Sequence, residues 1–197
     1  MKSNRWDDHY TEKARKEKWL ARSVYKLQEI DRKFKLIHKS DRVLDLGCFP
    51  GSWSQYAIRK VGKRGDVVGI DLQIPKAFNP PNFRFIEANI ETVDLKQLAE
   101  EIEPRNLVLS DLAPPTTGIR DTDAARSMLL AEQAARIARA LLKTKGHFVC
   151  KIFEGETLKS FKTSISSSYK QVRLFRPQAT RKRSREVYVV GTGFISE

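Results

Sequence analysis

The stretch "RVLDLGCFPGSWSQYA", residues 42–57, sets the fold class and contains the first candidate site. Its apolar start, "RVLDL" (42–46), predicts a short buried strand, and "SWSQYAIRKV" (52–61) predicts a helix. Between them, Gly47 and Gly51 allow the chain to turn sharply. A strand, a glycine turn and a helix in this order are typical of the first unit of an open α/β sheet, in which ligands lie at this turn.

Strand and helix patterns alternate along the rest of the chain. We predict further helices at 93–102, 121–143 and 156–168, and further strands at 66–72, 83–89, 106–112, 146–153, 170–175 and 186–193. This spacing predicts a mostly parallel sheet with helices on both faces. Only the loop 176–185 separates the last two strands, so we expect one antiparallel strand. Asp121 or Asp123 is expected to cap the long helix, and its polar face is predicted to carry Glu132, Arg136, Arg139 and Lys143.

The 197 residues are enough for one structural domain with a full core. Residues 1–40 lie before the strand–helix alternation. They are basic and have apolar residues at helical spacing, at Val24, Leu27, Ile30 and Phe34. We therefore expect residues 1–40 to form a helical N-terminal appendage on an α/β domain of residues 41–197.

The glycine turn indicates which kind of cofactor it binds. Phe49 stands where a dinucleotide-binding loop has its middle glycine, which blocks close approach of a pyrophosphate. Asp71 ends the second predicted strand, where an acid can accept hydrogen bonds from ribose hydroxyls. A glycine turn, a ribose acid and no phosphate cradle together favour S-adenosylmethionine. The alternative is that Gly47, Gly51 and Asp71 are only turn residues.

The formal charge of +13 is concentrated at the two ends of the chain. Residues 1–40 hold 12 Lys/Arg against 6 Asp/Glu, and residues 143–197 hold 12 against 4, whereas residues 41–142 hold 13 against 14. A parallel α/β fold can bring both ends to one face, and such a basic surface favours RNA or DNA. The alternative is charge that only keeps the protein soluble.

Cys48 and Cys150 fit no metal-ligand spacing, so we predict no metal site and interpret both as small buried apolar residues. The N-terminus lacks the apolar segment of a secretory signal, and no apolar run is long enough to cross a membrane. We therefore expect a soluble protein of the reducing cytoplasm.

Five motifs extend this interpretation to a family. "DLGCFPGSWSQYA", "GIDL", "SDLAPPTTG", "VCKIFEGE" and "SREVYVV" closely resemble the FtsJ/RrmJ family of RNA ribose 2'-O-methyltransferases, and the likeness runs from about Ser23 to about Gly193. The resemblance implies a Rossmann-like, S-adenosylmethionine-dependent methyltransferase fold with a seven-stranded sheet and an antiparallel last strand. This agrees with the alternation of strands and helices described above.

The resemblance also implies a catalytic tetrad of Lys26, Asp111, Lys151 and Glu186. Lys151 is unusual even without the family, because a lysine inside the apolar run "HFVCKIF" should not be buried without a purpose. A ribose hydroxyl becomes a good nucleophile when its proton is removed or polarised. We expect Lys151 to act as the base or hydrogen-bond partner of the 2'-oxygen and Asp111 to position it. Lys26 and Glu186 complete the network.

For the cofactor, the resemblance places Gly51 and Trp53 at the methionine end, Asp71 on the ribose and Asp111 near the reacting methyl. It places Asn89 where the family often has an aspartate that binds the adenine amino group, and the amide oxygen can still accept that hydrogen bond. Trp53 has the alternative of being a core aromatic. "DLAPPTTG" lacks the aromatic residue with which amino-group methyltransferases stack a base, which suits attack on a sugar.

The expected partner is ribosomal RNA or the large ribosomal subunit, contacted by the basic segments 11–39 and 176–185. The resemblance is closest to enzymes that modify a uridine of large-subunit ribosomal RNA. The alternatives are methylation of a tRNA anticodon-loop ribose, a non-catalytic ribosome-assembly factor and a small-molecule methyltransferase. We expect a monomer.

Overall fold

The computed structural model describes residues 5–195 of the chain, and side chains from His9 onward. Its helices are α1 (Arg5–Lys16), α2 (Val24–Phe34), α3 (Ser52–Val61), α4 (Leu95–Glu101), α5 (Arg120–Leu141) and α6 (Leu158–Ser166). Its strands are β1 (Arg42–Leu46), β2 (Asp66–Asp71), β3 (Phe83–Glu87), β4 (Arg105–Ser110), β5 (Leu142–Phe153), β6 (Tyr169–Phe175) and β7 (Glu186–Phe194). No helix in this part of the chain combines the length and the hydropathy needed to cross a bilayer.

The seven strands form one sheet in the order β3-β2-β1-β4-β5-β7-β6. The pairs from β3 through β5 are all parallel, and β7 runs antiparallel to both β5 and β6. This confirms the predicted Rossmann-like sheet with its reversed last strand. Because β1 and β4 are neighbours in the middle of the sheet, the loops after them meet at one edge.

Helices cover both faces of the sheet, and successive buried residues of β1 point to opposite faces. Leu44 and Leu46 lie in a core cluster with α5 residues such as Ala134 and Ile137. Val43, which directly precedes Leu44, lies in a second cluster with Leu27 of α2 and Trp53 of α3. Helix α2 is therefore part of the core packing on this face, and the boundary at residue 40 stays a prediction.

The start and end of the long helix differ from the sequence prediction. Helix α5 begins at Arg120 with Ile119 at its N-cap, so the prediction of a cap by Asp121 or Asp123 was wrong. The Asp123 carboxylate instead accepts hydrogen bonds from the backbone N–H groups of Thr117 and Gly118. The helix ends at Leu141 because Leu142 already pairs with Arg105 of β4, which places Lys143 in β5 rather than on the helical face.

Both cysteines are buried free thiols, Cys48 at 3% and Cys150 at 0% exposure. The prediction that they are small buried residues is confirmed. They contribute to the two core clusters, Cys48 to the one that contains α2 and Cys150 to the one that contains α5.

Candidate active site

A cavity of about 360 Å³ opens at the carboxyl ends of the central strands. Three of the predicted cofactor residues, Gly47, Asp71 and Asn89, line it. The sequence analysis did not name the other lining residues as cofactor contacts. They are Ile70, Leu72, Ala88, Ile90, Glu91, Leu112, Ala113, Pro114, Pro115, Arg126, Leu129 and Leu130. The apolar members of this set suit a flat aromatic ring, and the polar members lie among them.

Asp71 and Asn89 present oxygen acceptors to this cavity. The Asp71 carboxylate accepts the N–H of Phe49 at 2.9 Å and that of Gln73 at 3.0 Å, one on each oxygen. The Asn89 side-chain oxygen accepts the N–H of Glu91 at 3.0 Å. These bonds fix both side chains, and each oxygen keeps a second lone pair for a ligand. The predicted contacts with ribose and adenine stay predictions.

The two glycines of the opening turn have different surroundings. Gly47 has φ +74° and lines the cavity, and a Cβ built on it would lie 2.5 Å from Leu112 Cδ2. Gly51 has φ +109° and begins α3, and its Cβ would lie 3.0 Å from Leu20 Cδ1. Gly51 does not line the cavity, so its predicted contact with the methionine end stays a prediction.

Trp53 has a side chain that belongs to the core. It is 3% exposed, its indole N–H donates to the carbonyl of Ser23 at 2.9 Å, and its ring centroid lies 5.8 Å from that of Tyr188. The alternative of a core aromatic therefore describes the side chain. A contact with the cofactor would have to come from the Trp53 backbone, and it stays a prediction.

The four residues of the predicted tetrad form two ion pairs. The Lys26 ammonium lies 2.6 Å from a carboxylate oxygen of Glu186, with both side chains mostly buried. The Lys151 ammonium lies 3.2 Å from Asp111 Oδ1 and also donates to the backbone carbonyl of Asp111. Lys151 is only 7% exposed, although it carries a formal charge in an apolar strand.

Electrostatic interactions connect these two pairs. Burial raises the pKa of Asp111, but the charges of Lys151 and Lys26 and a hydrogen bond from Tyr188 lower it more, so that it lies below its ordinary value. Asp111 is therefore a carboxylate at neutral pH. Because Lys26 acts on Asp111 as well as on Glu186, the four side chains form one charged cluster at the ends of β4 and β5.

Tyr188 is a member of this cluster that the sequence analysis missed. Its phenol donates to Asp111 Oδ1 at 2.7 Å, and its pKa is well above the ordinary value because of burial and the nearby carboxylates. The phenol is therefore a neutral donor. One signal was available: Tyr188 follows Glu186 by two positions in β7, so both side chains lie on the same face of the strand.

Asp45 is a second ionisable residue near the site that the sequence analysis missed. It is fully buried in β1, and its Oδ2 accepts the hydroxyl of Ser54 at 2.7 Å. Among the described residues, Oδ1 has no hydrogen-bond partner. Burial raises the pKa of Asp45 to about 7. The hydrogen bond from Ser54 lowers this pKa, and the negative charges of Asp111 and Asp71 raise it further.

Comparison with known proteins assigns this site to a family. The model of the FtsJ-like methyltransferases matches residues 19–194, which include the whole sheet and all four tetrad positions. The chain belongs to the FtsJ-like methyltransferase family. The tetrad residues named from motif resemblance thus lie within the region that defines the family.

Relatives of this FtsJ-like methyltransferase carry a common name. A protein of Desulforapulum autotrophicum called ribosomal RNA large subunit methyltransferase E is 46% identical and spans 98% of this chain and 95% of its own length. A protein of the same name from Bdellovibrio bacteriovorus is 45% identical and spans 93% and 95%. A solved structure described as a ribosomal RNA methyltransferase from Plasmodium falciparum has a TM-score of 0.78 at 27% identity, and covers 91% of this chain and 100% of its own.

The cavity of this FtsJ-like methyltransferase fits the cofactor that the family uses, S-adenosylmethionine. Asp71 and Glu91 are the acidic residues in its wall and Arg126 the basic one, a formal balance of −1. This balance suits a ligand with a positive sulfonium group and disfavours a pyrophosphate. The apolar walls suit adenine, and Asp71 offers the acceptors that a ribose needs.

Proposed function

We propose that this protein transfers the methyl group of S-adenosylmethionine to a ribose 2'-hydroxyl of large-subunit ribosomal RNA. The observation that carries the proposal is the position of the Asp111–Lys151 pair. Asp111 directly precedes Leu112, which forms part of the cavity wall, so the pair lies next to the cofactor cavity. The names of the relatives supply the substrate class, large-subunit ribosomal RNA.

The chemistry requires a residue that handles one proton. Bound S-adenosylmethionine supplies a methyl group that is already activated by its sulfonium. We assign Lys151 as the base or hydrogen-bond partner of the 2'-oxygen, because its nitrogen is buried and held in a fixed position 3.2 Å from Asp111. As the base, Lys151 reacts in its neutral amine form and takes up the proton of the 2'-hydroxyl, while the ribose oxygen receives the methyl group. Asp111 positions Lys151 beside the methyl, and Tyr188 holds the same oxygen of Asp111 that faces Lys151. The Lys26–Glu186 pair completes the network.

The RNA is proposed to lie on the basic segments 11–39 and 176–185. Lys26 belongs to the first segment, and Glu186 directly follows the second, so their ion pair joins both segments at the tetrad. Because one chain supplies all four tetrad residues, we propose a monomer. We place the protein in the cytoplasm, where ribosomal RNA of the bacterial type is made.

The other functions considered from the sequence are not favoured. The relatives from Desulforapulum autotrophicum and Bdellovibrio bacteriovorus are named for large-subunit ribosomal RNA, which speaks against a tRNA substrate. A non-catalytic assembly factor has no need of a buried lysine paired with a carboxylate next to the cofactor cavity. A small-molecule methyltransferase has no need of a charge excess of +13.

The test offers labelled S-adenosylmethionine together with unmodified large ribosomal subunits, naked ribosomal RNA and tRNA in parallel. We expect label in ribosomal RNA, recovered as a 2'-O-methylated nucleoside. Lys151→Ala should reduce the single-turnover rate by at least about 100-fold, the usual scale of a lost acid–base group. Lys159→Ala, an exposed lysine on α6, is the matched control. Labelled tRNA alone, or a nearly unchanged rate in Lys151→Ala, would contradict the proposal.

A further inference from the structure

A second, strongly basic cavity of about 480 Å³ lies beside the tetrad. One side is formed by residues at the start of α2 and the other by the loop between β6 and β7, and the lining residues are Arg22, Ser23, Lys26, Arg181, Arg183, Ser184 and Glu186. Four are cations and one is an anion, a formal balance of +3. The one carboxylate, Glu186, is neutralised by Lys26 at 2.6 Å, so it does not repel a bound anion.

Helix α2 holds the arginine-bearing loop in place through Glu29. The Glu29 carboxylate accepts the backbone N–H of Gln178 at 2.6 Å and that of Ala179 at 2.9 Å, one on each oxygen. On the other side of the same peptide segment, the Arg22 guanidinium donates to the carbonyl of Ala179 at 2.9 Å. Lys26 and Glu29 are three residues apart and lie on one side of α2, and Arg22 lies just before the helix begins.

The arginines of the loop follow directly after this attachment. The N–H of Ser184 donates to the carbonyl of Arg181 at 2.9 Å, which closes a turn around Lys182 and Arg183. The Arg176 guanidinium donates to the carbonyl of Ser184, which ties the end of the turn back to the start of the loop. The loop thus has a defined shape, although its charged side chains at 181–183 are exposed.

We propose that this cavity binds a phosphodiester of the RNA backbone next to the target ribose, and that Glu29 is a positioning residue for it. The proposal rests on the proposed RNA substrate. Guanidinium groups bind phosphate oxygens through paired N–H donors. A phosphate is covalently next to the ribose, and the cavity shares Lys26 and Glu186 with the tetrad, so binding at one site places the sugar at the other.

Glu29→Gln should change RNA binding in the direction opposite to the one that net charge alone predicts. Removing a carboxylate from a basic surface strengthens RNA binding if charge alone matters. In Glu29→Gln, the amide oxygen can accept one of the two loop N–H groups, and the amide nitrogen faces the other. The loop then loses its fixed shape, and binding becomes weaker although the surface is more positive.

The experiment measures the affinity of the full-length protein for fluorescent poly-uridylate RNA over a range of salt concentrations. The variants are Glu29→Gln, the double variant Arg181→Ala/Arg183→Ala, and the combination of all three changes. The control is Lys63→Ala/Arg64→Ala, which removes the same charge from the exposed turn between α3 and β2. Trypsin cleavage at residues 181–183 reports the order of the loop directly.

We expect the arginine double variant to bind RNA at least about tenfold more weakly than the control. The slope of log K against log salt should fall by about 0.7 for each lost phosphate contact. Glu29→Gln should weaken binding several-fold and speed up trypsin cleavage of the loop. When Glu29→Gln is combined with Arg181→Ala/Arg183→Ala, it should have no further effect on RNA binding, because Glu29 acts through those two arginines. Affinity for S-adenosylmethionine should stay unchanged throughout.

Equal losses in the arginine variant and the control would overturn the phosphate site. Tighter or unchanged RNA binding by Glu29→Gln would overturn its positioning role, and the exposed arginine variant remains a valid test if Glu29→Gln folds poorly. These outcomes are independent of methyl transfer. A protein that binds RNA through this cavity and methylates no ribosomal RNA would refute the proposed function alone.

Discussion

Tyr188 donates its phenolic hydrogen to Asp111 Oδ1 over 2.7 Å, across 77 residues of sequence. The same carboxylate oxygen lies 3.2 Å from the ammonium of Lys151. One oxygen of Asp111 is thus held from two sides, by a neutral donor and by a cation. The position of Lys151 relative to the cofactor cavity therefore depends on a tyrosine in the reversed strand β7.

Tyr188→Phe tests this dependence with little change to the packing. The ring that packs on Trp53 remains, and only the hydroxyl is lost. We expect the single-turnover rate of methyl transfer to fall on the order of tenfold, since a hydrogen bond to a charged group contributes about 1.5 kcal/mol. The pKa of Asp111 should rise because one lowering interaction is gone. The acidic limb of the pH–rate profile should then move to higher pH. An unchanged rate and an unchanged acidic limb would show that Tyr188 only fills space.

The Lys26–Glu186 pair should be strongly coupled in stability. Both side chains are mostly buried, so removal of either partner leaves a charge without compensation. We expect Lys26→Met and Glu186→Gln each to lower the free energy of unfolding by about 3 kcal/mol. The double variant should lose clearly less than the sum of the two. Urea denaturation of the four proteins measures this, and additive losses would mean that the ion pair contributes no stability.

The strands and the tetrad could be predicted because their signals are local. A short apolar run that ends in a polar or charged residue, as in "NLVLSD" before Asp111, marks a strand and its functional end. Lys151 is conspicuous because it lies inside an apolar run, "HFVCKIF". The family motifs then connected residues that lie far apart in the sequence, such as Lys26 and Glu186.

The sequence could not predict contacts between side chains and elements that are far apart along the chain. Tyr188 sits in an apolar strand, where an aromatic is ordinarily core, and its partner belongs to another strand. From the sequence, Glu29 looks like an ordinary carboxylate on the surface of a helix, because its backbone partners lie in a loop about 150 residues away. The end of α5 was misjudged because Leu142 suits a helix as well as a strand, and pairing with Arg105 decides it.

The pH dependence of stability should show the buried Asp45. Its pKa is raised to about 7, so the folded state binds this proton more tightly than the unfolded state does. The resulting stability is complete below about pH 4, near the ordinary pKa of an aspartate, and is lost as the pH rises to about 7. Asp45→Asn has no proton to lose, so its free energy of unfolding should fall less between pH 5 and pH 8 than that of the wild type. Asp121→Asn, which changes an exposed carboxylate, is the control. Parallel pH profiles for the wild type and Asp45→Asn would contradict the assignment.

Gly47→Ala should damage both the turn and the cofactor cavity. The new Cβ would lie 2.5 Å from Leu112 Cδ2, and Leu112 is part of the cavity wall. Gly62→Ala is the control, because Gly62 also has a positive φ, +70° against +74°, and its Cβ would meet nothing within 4 Å. Gly62 has ψ −168°, in a region that is nearly reserved for glycine, so its alanine variant bears backbone strain of about 1–3 kcal/mol. Only Gly47→Ala must also displace Leu112. We expect Gly62→Ala to keep its affinity for S-adenosylmethionine in calorimetry, while Gly47→Ala binds it at least about tenfold more weakly. Equal behaviour of the two variants would show that Gly47 serves the turn alone and does not shape the cavity.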